Sequence, residues 1–176
     1  MKLLKRFLVP RFVVSLYYLI RFGAKVSPHA EVDLTRNIRM GKACTVSSFT
    51  KIKASDGPLR LGRRCGFAAG CWVSTGERGI AFGDNVICGP QVVISGNNYV
   101  FDELGVSVED QGTTSKGVLI GNNVWIGAHC TILDGTELGD DVVVVAHSLV
   151  NRRFPAGAVV QGNPAKIILK RTREQG

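Results

Sequence analysis

The stretch IGNNVWIGAHCTILDGTELGDDVVVVAHSLV, residues 120–150, carries an aliphatic side chain at Ile120, Ile126, Ile132, Leu138, Val144 and Val150, an interval of six throughout. An α-helix would repeat its apolar positions at three and four, and a half-buried strand at two. A strict six instead requires three short strands per turn of a triangular coil. Three hexads then make one coil of 18 residues. Within each hexad the second position is often glycine and the fifth is small or β-branched: Ile120-Gly121 with Val124, Ile126-Gly127 with Cys130, Ile132 with Thr136, Leu138-Gly139 with Val142, and Val144 with Ser148.

Upstream the same pattern returns in looser form, as Met40-Gly41 with Cys44, Leu61-Gly62 with Cys65, and Phe82-Gly83 with Val86. Met40 to Leu61 and Leu61 to Phe82 are each 21 residues, one coil plus three, whereas Phe82 to Ile120 is 38. The larger excess is a loop over 96–117, GNNYVFDELGVSVEDQGTTSKG. A connection of that length inside a compact domain is usually functional.

The composition agrees with a single globular unit: 176 residues, 45% hydrophobic, with 21 glycines and no Gly-X-Y period. The formal charge of +8 favours anionic partners such as phosphates or an acidic membrane surface. No basic run after residue 25 is interleaved with aromatics, so no nucleic-acid partner is expected. Cys44, Cys65, Cys71 and Cys130 fall at position five and Cys88 at position one, where small side chains point into a narrow prism. Their odd number and the lack of CxxC or Cys/His spacing argue against a disulfide framework or a metal site. They fit a reduced, cytoplasmic compartment.

Residues 3–22, LLKRFLVPRFVVSLYYLIRF, differ from the rest. Their longest uncharged run, 12–20, is too short to span a bilayer, and no small-residue cleavage site follows. Pro10 divides a first helix from a second over about 11–22. Two readings stand: packing on this protein or a neighbouring subunit, or peripheral contact with the inner face of the membrane.

Three motifs, IGNNVWIGAHCTILDG, QGTTSKGVLIG and PAGAVVQGNPAKII, resemble the hexapeptide-repeat acyltransferases, in particular the maltose and galactoside acetyltransferases and the O-acetyltransferases of surface polysaccharides. The likeness covers about 26–170. It implies an all-β, left-handed parallel β-helix over 26–155 with the loop 96–117 protruding, an N-terminal helical segment over 1–25, and a C-terminal segment and basic tail over 156–176. It also implies a homotrimer with acetyl-coenzyme A (acetyl-CoA) held between adjacent subunits.

In that family a histidine base on the loop takes a proton from a sugar hydroxyl, which attacks the thioester, while a backbone N–H stabilises the oxyanion. Counting from either side places that histidine at Tyr99, and the loop holds no histidine. Asn97 and Asn98 can hold a hydroxyl but cannot take its proton. His129 and His147, both at position four and one coil apart, are expected to stack on the outer wall at about 4.8 Å. Three readings stand for them: solvated wall residues, a lining of the cofactor groove, and, for His129, a substitute base. His29 reads as a plain surface residue.

The remaining carry-over concerns the cofactor. Ala128 and Ala146 match positions whose backbone contacts the pantetheine arm, Asn151 and Arg152 match a Thr-Lys pair beside it, and Lys166 matches a basic residue near the phosphates. Trp125 is expected near the groove between subunits. The family's later arginine is replaced by Leu169, with Lys170 and Arg171 following. The acceptor-binding Asn and Asp of the galactoside enzymes fall at Ala68 and Gly76, so that acceptor is not expected to be shared. The resulting expectation is an acetyl-CoA-dependent O-acetyltransferase acting on a sugar or surface-polysaccharide precursor. Its rival is a weakly active or inactive β-helix trimer that binds or scaffolds partners.

Overall fold

The computed structural model describes residues 9–171, and the first expected helix, before Pro10, lies largely outside them. Short strands, most of two or three residues, stack into three sheets that are parallel except at the last strand of the first. The first face holds Lys25–Val26, Thr45–Val46, Gly66–Phe67, Ile87–Cys88, Trp125–Ile126, Val143–Val144 and Ala158–Gly162. The second runs from Glu31–Val32 to Leu149–Val150 and the third from Ile38–Met40 to Arg153–Phe154, six strands each. The chain visits the faces in strict rotation, about six turns of a β-helix, as the six-residue period requires.

The inward residue of every hexad builds the core. Ile120, Ile126, Ile132, Leu138, Val144 and Val150 are all buried, as are the position-five residues Val124, Cys130, Thr136, Val142 and Ser148. Position five is more than small. Cys44 Sγ donates to Gly62 O (3.1 Å), Cys65 Sγ to Gly83 O (3.2 Å), and Thr50 Oγ1 to Ala68 O (2.8 Å). A compact donor at this place therefore satisfies a carbonyl of the next coil's turn that would otherwise be buried unpaired.

Position two is glycine for a different reason. A Cβ on Gly41 would lie 2.4 Å from Gly62 O, and one on Gly62 would lie 2.3 Å from Gly83 O. The coils touch backbone to backbone at these turns. Position four closes each turn in the left-handed conformation: Ala43, Arg64, Asn85, Asn123, His129, Asp141 and His147 all have φ between 56° and 61°. That strain, about 1 kcal/mol per residue, is offset by N–H bonds to the coil below, such as His129 N to Pro90 O and His147 N to Ala128 O, both 2.9 Å.

The extra residues of the early coils all leave from one edge, between the second and third faces. Residues 54–58 and 75–79 form the short inserts, and 96–117 leaves from the same place. Helix α1, Arg11–Phe22, caps the N-terminal end of the prism, and Gly23 ends it in the left-handed conformation (φ 64°). Tyr18 is its one buried residue and donates its hydroxyl to Asp33 O (2.6 Å). At the other end, Ala165–Lys170 folds back antiparallel on Ala158–Gly162.

The five cysteines are buried and free. Burial pushes the thiols of Cys71, Cys88 and Cys130 above the usual range, which leaves them protonated and unreactive at neutral pH. All five are shielded by burial, Cys44 included although its hydrogen bond with Cys65 draws its thiol down to about 7. Native protein should therefore resist a thiol-specific reagent such as dithionitrobenzoate until it is denatured, when all five thiols should react. Fast labelling of the native fold would contradict this core.

Candidate active site

Two edges of the prism carry the candidate residues. On the edge between the first and second faces, the His129 and His147 rings stack at 4.8 Å with planes 5° apart. The parallel register that aligns Trp125 with Val143 places them one above the other. Both rings are exposed. Ala128 and Ala146 precede them at position three. Their amide N–H groups make no hydrogen bond within the described residues, although Ala128 O accepts from His147 N. Trp125, 56% exposed, stands on the first face just before this edge. Gly127 keeps the edge thin, because a Cβ there would lie 2.6 Å from Ala146 N.

The same edge leads to the C-terminal end. Ser148 Oγ accepts from Gly162 N (3.1 Å), and Arg152 Nη2 reaches across to donate to Ala165 O (2.8 Å). Asn151, Arg152 and Lys166 are exposed there. Trp125, Ala128 and Ala146 thus follow one edge, and at the end it meets, Arg152, from the turn between the second and third faces, reaches the Ala165–Lys170 strand that carries Lys166. Among the described residues no group of three or more His, Cys, Asp or Glu could hold a metal ion.

The second edge, between the second and third faces, carries the loop. Asn98–Tyr99 pairs antiparallel with Thr113–Thr114, so the loop begins as a short hairpin. Tyr99 is 58% exposed, Asn98 is exposed and Asn97 is half-buried. Ser95 Oγ donates to Asn97 O (3.0 Å). At the tip, Gln111 braces the chain, accepting from Glu103 N and donating to Glu103 O and Val106 O, each at 3.0 Å. The braced tip bares Phe101, Leu104 (96% exposed), Val106 and Val108.

Within one chain these two groups are not brought together. The second face, with Val93–Ser95 and Thr131–Ile132, lies between Tyr99 on one edge and His129 on the other. A reaction that used both would need the loop of one copy beside the histidine edge of another.

One residue of this region was missed by sequence reasoning. The Asp134 carboxylate, buried, accepts from Lys116 N (2.8 Å) and Gly117 N (2.7 Å), where the loop rejoins the prism. Ser115 Oγ closes the same neck, donating to Gly96 O (2.7 Å) and accepting from Arg78 N (3.2 Å). The signal was present in the count of eighteen, which sets Lys116 one coil beneath Asp134. Asp134→Ala should cost about 2–3 kcal/mol, the scale for leaving buried donors of a charged hydrogen bond unpaired. It should also speed amide exchange at Lys116 and Gly117; unchanged denaturation and exchange would remove Asp134 from this role.

The fold and both edges can be set against known proteins. Residues 117–152 match the family described as bacterial transferase hexapeptide (six repeats). The solenoid is a hexapeptide-repeat β-helix and resembles the acyltransferases built on that repeat. The chain is 26% identical over 184 residues to a probable acetyltransferase of Mycobacterium tuberculosis, covering 96% of this chain and 61% of that protein. It is 38% identical over 90 residues to the galactoside O-acetyltransferase of Escherichia coli, covering 51% of this chain and 43% of that protein. The chain thus spans about half the length of these relatives. Among solved structures, an N-acyltransferase from Bacillus cereus, a mutant in complex with dTDP and coenzyme A, superposes with a TM-score of 0.78 at 21% identity, over 90% of this chain and 89% of that one. That likeness shows the shared fold.

Proposed function

We propose that the protein is an acyltransferase that moves an acetyl group from acetyl-CoA to a hydroxyl of a sugar or surface-polysaccharide precursor, and that it works as a homotrimer. The observation that carries this reading is the edge of Trp125, Ala128 and Ala146. Its two amide donors, without partners among the described residues, lead toward the C-terminal end where Arg152 and Lys166 are exposed, a course suited to an amide-bearing arm ending in phosphates. In the reaction, a base accepts the acceptor hydroxyl's proton as the oxygen attacks the thioester carbonyl. A tetrahedral oxyanion forms, the carbon–sulfur bond breaks, and the proton reaches the leaving thiolate. A backbone N–H of this edge is the oxyanion donor. Tyr99, flanked by Asn97 and Asn98 to hold the acceptor, stands where the base is expected.

The trimer is supported by what each chain leaves bare. Ile87 and Trp125 on the first face, Leu119 on the third and the loop tip are exposed apolar side chains. The loop and the histidine edge also need a second copy to meet. Phe101→Ser with Leu104→Ser should therefore lower the sedimentation mass toward one chain and the transfer rate with it, while the circular dichroism of the β-helix persists. An unchanged trimer would show that the tip does not join subunits.

A second reading is favoured by Tyr99 itself: with no histidine in the loop, the β-helix is a weakly active or inactive trimer that binds or scaffolds partners. A third concerns the acceptor, because the Bacillus cereus neighbour is an N-acyltransferase. A screen of sugar and amino-sugar acceptors, with free coenzyme A thiol as the readout, separates all three. Thiol release with hydroxyl acceptors supports the first, release only with amines the third, and no release with any the second.

No described helix is long and apolar enough to cross a membrane. The proposed setting is the cytoplasm, with peripheral contact at the inner membrane face through residues 3–22.

A further inference from the structure

Along a solenoid, sequence order is spatial order, so an uneven distribution of charge becomes a polarity of the molecule. Residues 9–66, which build α1 and the first coils, hold eleven Lys and Arg against three Asp and Glu. Residues 67–171 hold seven against ten. The net charge of +8 is therefore concentrated at the end that α1 caps.

The cations of this end are grouped by the fold. On the third face Arg39 and Arg60 stand in register on adjacent strands. On the edge beside it, Lys42 and Arg63 follow the glycines of successive turns, and Arg64 comes next. Among the described residues, only Arg63 of this group is held by a carboxylate, Asp84 at 2.7 Å. Like charges would not be stacked this way for stability of the isolated chain.

Helix α1 continues the same surface. Ile20, Arg21 and Gly23 border a hollow shared with Met40, Gly41 and Lys42. Phe12, Leu16, Leu19 and Ile20 recur at helical spacing and are 49–76% exposed. Arg11 and Arg21 flank the stripe at the two ends of the helix. An apolar stripe bordered by exposed cations suits a bilayer with acidic headgroups better than it suits another folded protein: the stripe meets the acyl boundary and the cations meet lipid phosphates.

We infer that the α1-capped end of the solenoid is a docking surface for an anionic membrane, with Arg39, Lys42, Arg60 and Arg64 as its phosphate-binding rim. The inference rests on the membrane-contact reading above and adds the rim and the lipid class; it does not depend on acetyl transfer.

Co-sedimentation of the full chain with lipid vesicles tests it. Binding to mixed phosphatidylglycerol–phosphatidylcholine vesicles should be at least tenfold tighter than to pure phosphatidylcholine. The triple variant R39E/R60E/R64E should lose at least tenfold on the mixed vesicles. Phe12→Ser with Ile20→Ser should weaken binding further without altering the salt dependence that the rim confers. Affinity for coenzyme A, measured on the same samples, should not change in either variant, because none of these residues lies on the cofactor edge. Equal binding to both vesicle types, or wild-type binding by the triple variant, would overturn the inference. So would equal capture on heparin that ignores the loss of Phe12 and Ile20, which would assign the rim to a soluble polyanion. A protein that binds vesicles but not coenzyme A would sink the transferase reading and leave this one standing.

Discussion

Tyr99→His should raise the rate of acetyl transfer at least tenfold, whereas His129→Ala should change it little. A positioned general base is worth about 10²–10⁴ in rate, and an imidazole with a reference pKa of about 6.5 is present in its basic form at neutral pH. A phenol is the weaker base of the two at neutral pH. Tenfold, about 1.4 kcal/mol in barrier, is thus a modest share of what the exchange makes available. Tyr99 has the room: it is 58% exposed on the short hairpin strand Asn98–Tyr99, and its hydroxyl makes no hydrogen bond among the described residues. His129 is committed to a stack with His147 across the second face from that hairpin. A steady-state assay of thiol release, with the oligomeric state checked in parallel, decides it. If Tyr99→His leaves the rate unchanged and His129→Ala abolishes it, the stacked histidine is the base and the roles are reversed.

Gly127→Val should be the most damaging single change on the edge of Trp125, Ala128 and Ala146. Even the first added carbon would lie 2.6 Å from Ala146 N and 2.9 Å from both Ala146 Cα and Val144 O, backbone atoms that cannot turn aside. The coils would have to part where Gly127 N bonds Val144 O (2.8 Å). Overpacking of well-packed interiors costs about 1–3 kcal/mol and occasionally more, and here the upper end or beyond is expected. Gly66→Ala is the control, since its Cβ would meet only Thr45 Oγ1 at 3.2 Å, a side-chain atom that can rotate away. Chemical denaturation of the two variants should differ by about 2 kcal/mol or more. Equal stability would mean that the coils do not touch backbone to backbone at these turns.

These predictions also mark what could be read in advance. The six-residue period needs no partner chain to interpret, because each hexad buries its own first residue; Ile126 and Val144 could be assigned to the core from spacing alone. The stacking of His129 on His147 followed from the same count, since residues eighteen apart in an uninterrupted coil must be neighbours. The small residue at position five was legible as a steric demand. Its second task, donating to a turn carbonyl of the next coil, was not, because Cys44 and Gly62 meet only after the coil closes.

The candidate site was named residue by residue through the resemblance, not as an assembly. The resemblance pointed to Tyr99 and Ala128 without saying which edge each occupies. That depends on the three-residue inserts sharing one edge with the long loop, a fact of register between distant strands. Asp134 escaped for a similar reason: an Asp-Gly pair at a turn is expected on local grounds, and its hold on Lys116 and Gly117 is visible only in three dimensions. The charge polarity of the chain was present in the composition, yet it acquires meaning only once sequence order is known to be axial order.

The central claim is that the edge running from Trp125 through Ala128 and Ala146 to Lys166 holds an acyl-coenzyme A. Isothermal titration of the purified protein with acetyl-CoA tests it most directly. The account predicts saturable binding at one site per chain, weakened at least tenfold in the double variant Arg152→Ala and Lys166→Ala. It also predicts that Arg39→Glu, at the opposite end of the solenoid, leaves binding unaltered. No detectable heat from the wild-type protein, at concentrations where the fold is intact, would contradict it.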